Sequence, residues 1–296
     1  MPTMDTLPED ESPGAGGRLL GPWEVVKVAR IGLMASHLWI FVLPAVLAGE
    51  VPGLIFWLGA IYVTVPLGTL IYGWNDFRDG DVDRLSERKK ASWLSGVFGY
   101  RLIAAKRRLL PAYIVVMHLP FLILAVIFGQ LWFLGWLAVM VLGNWLYNGP
   151  GVRLSRVPVA AELTATGIYL AILWLGARCS GIWPHWVVWL FAGTAILVFQ
   201  IAGAIVDIEP DRLVRKVTFA VAVGRRWAAS VLAAMVASKG ILLLASFGAV
   251  VPALVNFAAI PLCLLGPARM RRFHPSGVTY TYFVVADWVC LAMLAG

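Results

Sequence analysis

Apolar runs of about twenty residues recur along nearly the whole chain and are separated by shorter polar stretches. A run of this length crosses the hydrocarbon core of a bilayer as an α-helix, because each helical residue rises about 1.5 Å. The pattern predicts an all-α membrane protein with nine transmembrane helices in a bundle. The predicted bounds are 31–49, 52–73, 110–129, 131–146, 159–177, 183–205, 228–247, 249–266 and 277–295.

The apolar runs show no division into separate units, so we predict a single membrane domain over residues 23–296. The start of the chain is different. Residues 1–20 are acidic, contain Pro and Gly, and lack the basic segment and apolar run of a signal peptide. We expect residues 1–22 to form a disordered cytoplasmic tail.

Lysine and arginine collect in alternate connecting segments. Of the 24 such residues, all but Arg178 and Lys239 lie in the N-terminal segment and in the predicted loops 74–109, 147–158, 206–227 and 267–276. A nine-span arrangement puts all of these segments on one side of the membrane. Positive loops stay in the cytoplasm, so we predict a cytoplasmic N-terminus and an external C-terminus.

Composition supports the membrane assignment. The chain is 60% hydrophobic and 14% charged, with a mean hydropathy of +0.83, which is too apolar for a soluble domain. Its net charge of +8 follows from the orientation signal and from attraction to anionic lipid, so no nucleic-acid partner is expected. We expect an integral membrane protein of a bacterial inner membrane, although plastid and endoplasmic membranes fit the same pattern.

An acidic motif directly follows the second apolar run. Asp76, Asp79 and Asp83 are spaced i, i+3, i+7, and Asn75 adds an overlapping i, i+4, i+8 stripe, so one helical face would carry them. Clustered carboxylates at a membrane edge repel one another unless a cation meets them. Oxygen ligands favour a hard ion such as Mg²⁺, which commonly binds carboxylates together with substrate phosphates.

A second acidic pair follows the sixth predicted helix. Asp207 and Asp211 are spaced i, i+4, and Arg212, Arg215 and Lys216 come soon after them. Both acidic motifs lie in the long loops of the predicted cytoplasmic side, where a bundle could bring them face to face. This arrangement predicts one shared site for Mg²⁺ and a diphosphate.

These motifs resemble those of the UbiA superfamily of intramembrane prenyltransferases. The resemblance covers residues from about 25 to the C-terminus, and nine spans with an internal N-terminus also match. It rests on NDxxDxxxD at Asn75, Asp76, Asp79 and Asp83, on DxxxD at Asp207 and Asp211, on a TxxVxxG ending at 218–224, and on the segment 147–154.

The sequence departs from the family pattern at three places. Lys89-Lys90 is followed by Ala-Ser-Trp where many aromatic prenyltransferases have Lys-x-Arg-Pro-Leu, and Arg215 replaces a usual glycine. Pro210 interrupts the second motif, and proline removes a helical hydrogen bond. We therefore expect Asp207 to cap a short new helix that starts near Pro210.

The resemblance implies transfer of an isoprenoid from its diphosphate to an acceptor, in a central cavity open to lipid. It implies about two Mg²⁺ ions that bridge the motifs and the diphosphate and neutralise the leaving group. The implied metal ligands are Asn75, Asp76, Asp79, Asp83, Asp207 and Asp211. The implied diphosphate contacts are Asn75, Lys89, Lys90, Arg153 and Lys216. The five aspartates are also the implied catalytic residues.

Aromatic rings near the motifs would stabilise an allylic cation. Tyr147 matches the family tyrosine and is a catalytic candidate, and Tyr72 lies one turn before the first motif. Glu162 lies near the cytoplasmic end of the fifth predicted helix and is a catalytic candidate that could orient or deprotonate an acceptor. Lys239 and Asp287 lie at similar depth in two predicted helices, so we expect them to pair as a structural ion pair.

Four functions fit these features. We expect a prenyl diphosphate donor and a small hydrophobic acceptor, with an aromatic or quinone-type ring as the first choice. A lipid or isoprenoid acceptor is the second, and the 89–90 departure favours it. The third is an intramembrane terpene cyclase acting on the donor alone. A transporter is the alternative of another class, although no internal repeat with paired broken helices is evident.

Overall fold

The computed structural model describes residues 19–50, 52–83, 102 and 104–264, and this part of the chain contains helices and loops but no strand. The first helices are α1 (Pro22–Val28), α2 (Ile31–Ala48), α3 (Leu54–Tyr62), α4 (Val65–Gly68), α5 (Trp74–Asp83), α6 (Ala104–Arg107) and α7 (Leu110–Ile127). They continue as α8 (Trp132–Asn148), α9 (Ala160–Ser180), α10 (Trp186–Val206), α11 (Ile208–Leu213), α12 (Phe219–Val223), α13 (Arg225–Phe247) and α14 (Val250–Leu264).

Five of the described helical segments are long and apolar enough to cross a membrane. They are Leu54–Arg78, Ala104–Ile127, Ala160–Ser180, Trp186–Val206 and Arg225–Phe247. The pair α1 and α2, bent by 65°, makes a sixth if it is one span. The all-helical membrane fold is therefore confirmed, whereas the count of nine and the orientation stay predictions.

Three predicted spans, 131–146, 249–266 and 277–295, are not among these segments. Helix α8 covers the predicted 131–146 with 17 residues, and α14 covers the predicted 249–266 with 15 residues. The predicted span 277–295 lies outside the described residues, as does most of the predicted tail. Helix α1 begins at Pro22, the last residue of the predicted tail. The single domain over residues 23–296 stays a prediction.

The second span is interrupted near its centre. Helix α3 ends at Tyr62 and α4 begins at Val65, because Pro66 lacks the N–H that would continue the hydrogen-bond ladder. A buried π-helical turn, Thr69–Gly73, then joins α4 to α5. The first acidic motif then lies on α5, which continues directly from this turn.

Helix α9 is the centre of the bundle, since it packs against α2, α3, α8 and α10. Its contact with α2 is close: a Cβ at Gly176 would overlap the backbone carbonyl of Phe41, so only glycine fits there. By contrast, α7 exposes apolar side chains such as Val115, Leu119 and Ile123. Exposed apolar faces of this kind are expected where lipid surrounds a helix.

Candidate active site

The second acidic motif lies at a break between two helices. Helix α10 ends at Val206, α11 starts at Ile208, and Asp207 stands between them. Pro210 explains the break, because it cannot continue the ladder of α10. The short new helix is therefore present, but it begins ahead of Pro210, and the Asp207 side chain makes no capping hydrogen bond.

Both acids of this motif are buried, Asp207 to 8% exposure and Asp211 to 6%. The N–H of Asp211 donates to the Asp207 carbonyl at 2.8 Å, so a single turn fixes their spacing. Nζ of Lys216 lies 3.7 Å from Oδ1 of Asp211. Buried carboxylates cost free energy unless cations face them, so the second motif suits a positively charged ligand.

The first motif forms helix α5, as its spacing predicted. Asn75 is half-buried and accepts a short hydrogen bond from Nδ2 of Asn148, at the end of α8. Asp76 is fully buried and pairs with Arg30, with 3.0 Å between the guanidinium nitrogen and Oδ1. The backbone of α5 continues through Asp79 and Asp83, whose side chains lie outside the description.

Arg30 is a site residue that sequence reasoning missed. It connects α1 to α2 with a left-handed φ of 54°, a conformation that is uncommon for a residue other than glycine. Its guanidinium lies 4.6 Å from the ring centre of Tyr72 as well as against Asp76. One arginine thus contacts both the first motif and the aromatic ring of Tyr72.

Tyr72 and Tyr169 line the site and form, with His37, a hydrogen-bonded group of rings that we call the aromatic floor. The Tyr72 and Tyr169 hydroxyls are 2.6 Å apart, and Nε2 of His37 is 3.1 Å from the Tyr72 hydroxyl. Nδ1 of His37 donates to the Val63 carbonyl at 3.0 Å, because a carbonyl oxygen can only accept. In a neutral imidazole Nε2 then accepts from Tyr72, which in turn accepts from Tyr169.

Many of these groups line one cavity of about 190 Å³. The predicted residues that line it are Asn75, Tyr72, Tyr147, Glu162, Asp207, Asp211 and Lys216. Further polar lining comes from Arg30, Asn144, Asn148, Ser155, Arg156, Tyr169, Gln200 and Thr218. The two motifs, predicted from separate loops, therefore contribute to the same cavity.

Several predicted residues lie elsewhere. Arg153 does not line the cavity; it has a left-handed φ of 45° just ahead of a 3₁₀ turn, and Arg156 from that turn lines the cavity instead. Asp76 is not in the lining either. Lys89 and Lys90 lie outside the described residues.

The predicted ion pair of Lys239 also stays untested, because Asp287 lies outside the described residues. Lys239 is fully buried, and its Nζ lies 6.0 Å from the ring centre of Phe191.

Glu162 is held where helix α12 begins. Its Oε1 accepts a hydrogen bond from the N–H of Phe219 at 3.2 Å, and its residue exposure is 6%. Its Oε2 has no hydrogen-bond partner among the described residues, and the same is true of Oγ1 of the neighbouring Thr218. Sequence reasoning found Glu162 but not Thr218, although Thr218 begins the TxxVxxG segment.

A narrow apolar slot of about 30 Å³ lies next to the cavity. Tyr169 and Phe199 line both spaces, so the slot starts at the aromatic floor. Its other walls are Ser36, Trp39 and Ile40 of α2 and Ala195 and Ile196 of α10. A polar chamber thus adjoins an apolar slot, as a ligand with a charged head and a hydrocarbon tail would require.

The donor set suits a hard divalent cation. The cavity offers carboxylate and amide oxygens from Asp207, Asp211 and Asn75, and the motif aspartates Asp79 and Asp83 follow on α5. Within the described side chains, no three acidic, His or Cys groups already form a metal cluster. The described residues therefore supply part of an oxygen-ligand set, which ligand phosphates commonly complete for Mg²⁺.

Comparison with known proteins defines the class. The UbiA prenyltransferase family matches residues 36–282, so the chain belongs to that family. The fold is similar to a UbiA homolog from Archaeoglobus fulgidus bound to DMAPP and Mg²⁺, with a TM-score of 0.60, 17% identity, and coverage of 90% of this chain and 99% of that one. The same homolog bound to GPP and Mg²⁺ also gives 0.60, with 16% identity.

Two bacterial proteins are similar to this chain in sequence. A lycopene elongase/hydratase from Corynebacterium glutamicum is 30% identical over 184 residues, which cover 61% of this chain and 62% of the relative. The C(50) beta-cyclic carotenoids biosynthesis protein LbtBC from Dietzia sp. is 28% identical over 252 residues, covering 82% of this chain and 55% of the relative. The chain thus spans less than two thirds of the length of either relative.

Proposed function

We propose that this protein transfers a prenyl group from a prenyl diphosphate to an isoprenoid acceptor, with Mg²⁺ as cofactor. The observation that carries the proposal is the single cavity to which Asn75 of the first motif and Asp207 and Asp211 of the second contribute. Family membership supports the prenyl donor. The names of the two carotenoid-related relatives favour an isoprenoid acceptor over the aromatic ring expected first from sequence.

The cavity residues have distinct tasks in this reaction. Asn75, Asp207 and Asp211 would hold the metal, with Asp79 and Asp83 completing the set from α5. When bound, the metal would neutralise the diphosphate as the allylic carbon–oxygen bond breaks. Lys216 and Arg156 would donate hydrogen bonds to the departing oxygens, since charged donors bind phosphate strongly.

The aromatic floor would stabilise the carbon side of the same bond. Tyr169 lines both the polar cavity and the apolar slot, and Tyr72 lines the cavity beside it, so their rings would face the allylic cation. The hydrogen bonds from Tyr169 through Tyr72 to His37 hold both rings in place. The slot between α2 and α10 would take the hydrocarbon tail.

The first experiment incubates purified protein in detergent with Mg²⁺ and donors of five, ten and fifteen carbons, and measures released diphosphate and products. Each donor is tested alone, with lycopene, and with a hydroxylated aromatic acid. We expect product only with lycopene and Mg²⁺. Replacing Asp207 and Asp211 by Asn should lower the rate at least about 100-fold, because the charge stabilisation is lost.

Glu209→Gln is the matched control, since Glu209 lies on the same short helix but is 47% exposed and outside the cavity. It should retain wild-type activity. Product with the aromatic acid would instead support the first acceptor predicted from sequence, and a cyclic hydrocarbon from donor alone would support a cyclase. If diphosphate is never released and a donor moves across vesicles without Mg²⁺, the protein is a transporter and the proposal fails.

A further inference from the structure

Two buried oxygen atoms in the cavity lack the hydrogen bonds that buried polar atoms normally make. Oε2 of Glu162 and Oγ1 of Thr218 are each without a partner among the described residues, and both residues are only 6% exposed. Leaving such a group unsatisfied costs about 1–3 kcal/mol. Two of them in one cavity wall therefore indicate a ligand rather than chance.

The local structure holds these two residues next to each other. Thr218 is the N-cap residue of α12, and the next residue, Phe219, donates its N–H to the other oxygen of Glu162 at 3.2 Å. One oxygen of the Glu162 carboxylate thus has a hydrogen-bond donor, and the second has none within the part of the chain that the structure describes. Both residues line the same cavity as Asp207 and Asp211.

The chemistry of the two atoms is complementary. A carboxylate oxygen can only accept a hydrogen bond, whereas a threonine hydroxyl can donate one. Together they match a single hydroxyl group, which donates its proton toward Glu162 and accepts from Thr218. A bare hydrocarbon would satisfy neither atom.

We propose that Glu162 and Thr218 form a hydroxyl-binding subsite in which Glu162 removes the proton from the bound oxygen. This inference rests on the proposed prenyl transfer. The allylic carbon–oxygen bond breaks and its electron pair leaves with diphosphate. The acceptor double bond then attacks the allylic carbon, and a new cation forms on the acceptor. The bound hydroxyl oxygen bonds to that cation while its proton passes to Oε2 of Glu162, which gives an alcohol when the hydroxyl is water.

A hydroxyl on the acceptor itself could occupy the same subsite. In that case the acceptor oxygen bonds directly to the allylic carbon, the proton again passes to Glu162, and the product is an ether. The two sources share one chemistry, the O–H group, and isotope labelling separates them.

The test measures products and diphosphate release in ¹⁸O-labelled water, for wild type, Glu162→Gln and Thr218→Val. We expect ¹⁸O in the wild-type alcohol. Glu162→Gln should lower alcohol formation at least about 100-fold, as loss of a general base does. Thr218→Val should lower it about tenfold, as loss of one hydrogen bond does, and Thr218→Ser should restore it. Mg²⁺-dependent binding of the donor should stay within about threefold for each variant.

Matched controls separate this chemistry from general damage. Thr194→Val removes a buried hydroxyl that donates to the Leu190 carbonyl of its own helix and lies outside the cavity, so it should leave the product unchanged. An oxygenated product without ¹⁸O would assign the subsite to an acceptor hydroxyl. Unchanged product ratios in both Glu162→Gln and Thr218→Val would overturn the subsite, whereas absence of Mg²⁺-dependent diphosphate release in wild type would overturn the proposed function itself.

Discussion

Asp76 and Asp207 belong to the two acidic motifs, but their surroundings differ. Asp76 is fully buried against the Arg30 guanidinium, outside the cavity lining, whereas Asp207 lines the cavity. Removing one member of a buried ion pair typically costs about 3–5 kcal/mol. We therefore expect Asp76→Asn to lower the free energy of unfolding by about 3 kcal/mol.

Denaturant unfolding in detergent measures this loss of stability. The double variant Arg30→Gln/Asp76→Asn should lose less stability than the sum of the two single variants, because the partners act as a unit. If Asp76→Asn keeps full stability and only loses Mg²⁺-dependent donor binding, Asp76 is a metal ligand, as the family resemblance implies, and the structural role is wrong.

At the residue scale, sequence identified the acids but not their partners. Asp207 and Asp211 could be found because like charges at regular spacing are visible along the chain, and Asn75 because it shares a helical stripe with Asp79 and Asp83. Arg30 could not, because its partner Asp76 is 46 positions away, and a cytoplasmic arginine is already expected from orientation. The hydroxyl contact of Tyr72 with Tyr169 joins residues 97 positions apart, and no local pattern predicts such a pair.

At the element scale, the slot between α2 and α10 sets the room for the donor tail. The slot is narrow, about 30 Å³, so we expect wild type to prefer the five-carbon donor over longer ones. Ile196 is 5% exposed and forms part of the slot wall. Ile196→Ala should enlarge the slot and raise the ratio of ten-carbon to five-carbon turnover about tenfold, the equivalent of about 1.4 kcal/mol.

Ile172→Ala is the control for this change. Ile172 is fully buried on α9 but lines neither the slot nor the cavity, so its loss should cost similar stability, about 2–5 kcal/mol, without changing donor preference. Equal shifts of the ratio of ten-carbon to five-carbon turnover in both variants would show that the slot does not determine which tail length is accepted.

Helix boundaries were predicted best where a single residue, such as a proline, determines the backbone conformation. Pro210 indicated the break after α10, and the structure has it, although α11 starts at Ile208. The interruption of the second span follows from Pro66 in the same way, but a proline inside an apolar run is easily read as part of one continuous helix. The π-helical turn Thr69–Gly73 has no comparable signal, since its buried packing rather than its composition maintains it.

At the scale of the whole molecule, the distribution of charge predicts which side of the membrane holds the site. Helix α10 separates Trp183, which is 56% exposed before its first residue, from Leu213, which is 75% exposed beyond its last. A helix of 21 residues is about 30 Å long, the thickness of the hydrocarbon core. The two positions should therefore face opposite compartments, with Leu213 and the acidic motifs in the cytoplasm.

Thiol labelling of intact bacterial cells tests that orientation. A membrane-impermeant reagent should label Trp183→Cys but not Leu213→Cys, and permeabilised cells should show both, with the unsubstituted chain as background for its own cysteines. A phosphatase fused to the C-terminus should be active only outside the cytoplasm, as an odd number of spans requires. An inactive fusion with the same labelling would keep the site cytoplasmic but make the span count even. Labelling of Leu213→Cys in intact cells would invert the orientation, and would place the diphosphate site where a cytoplasmic donor could not reach it.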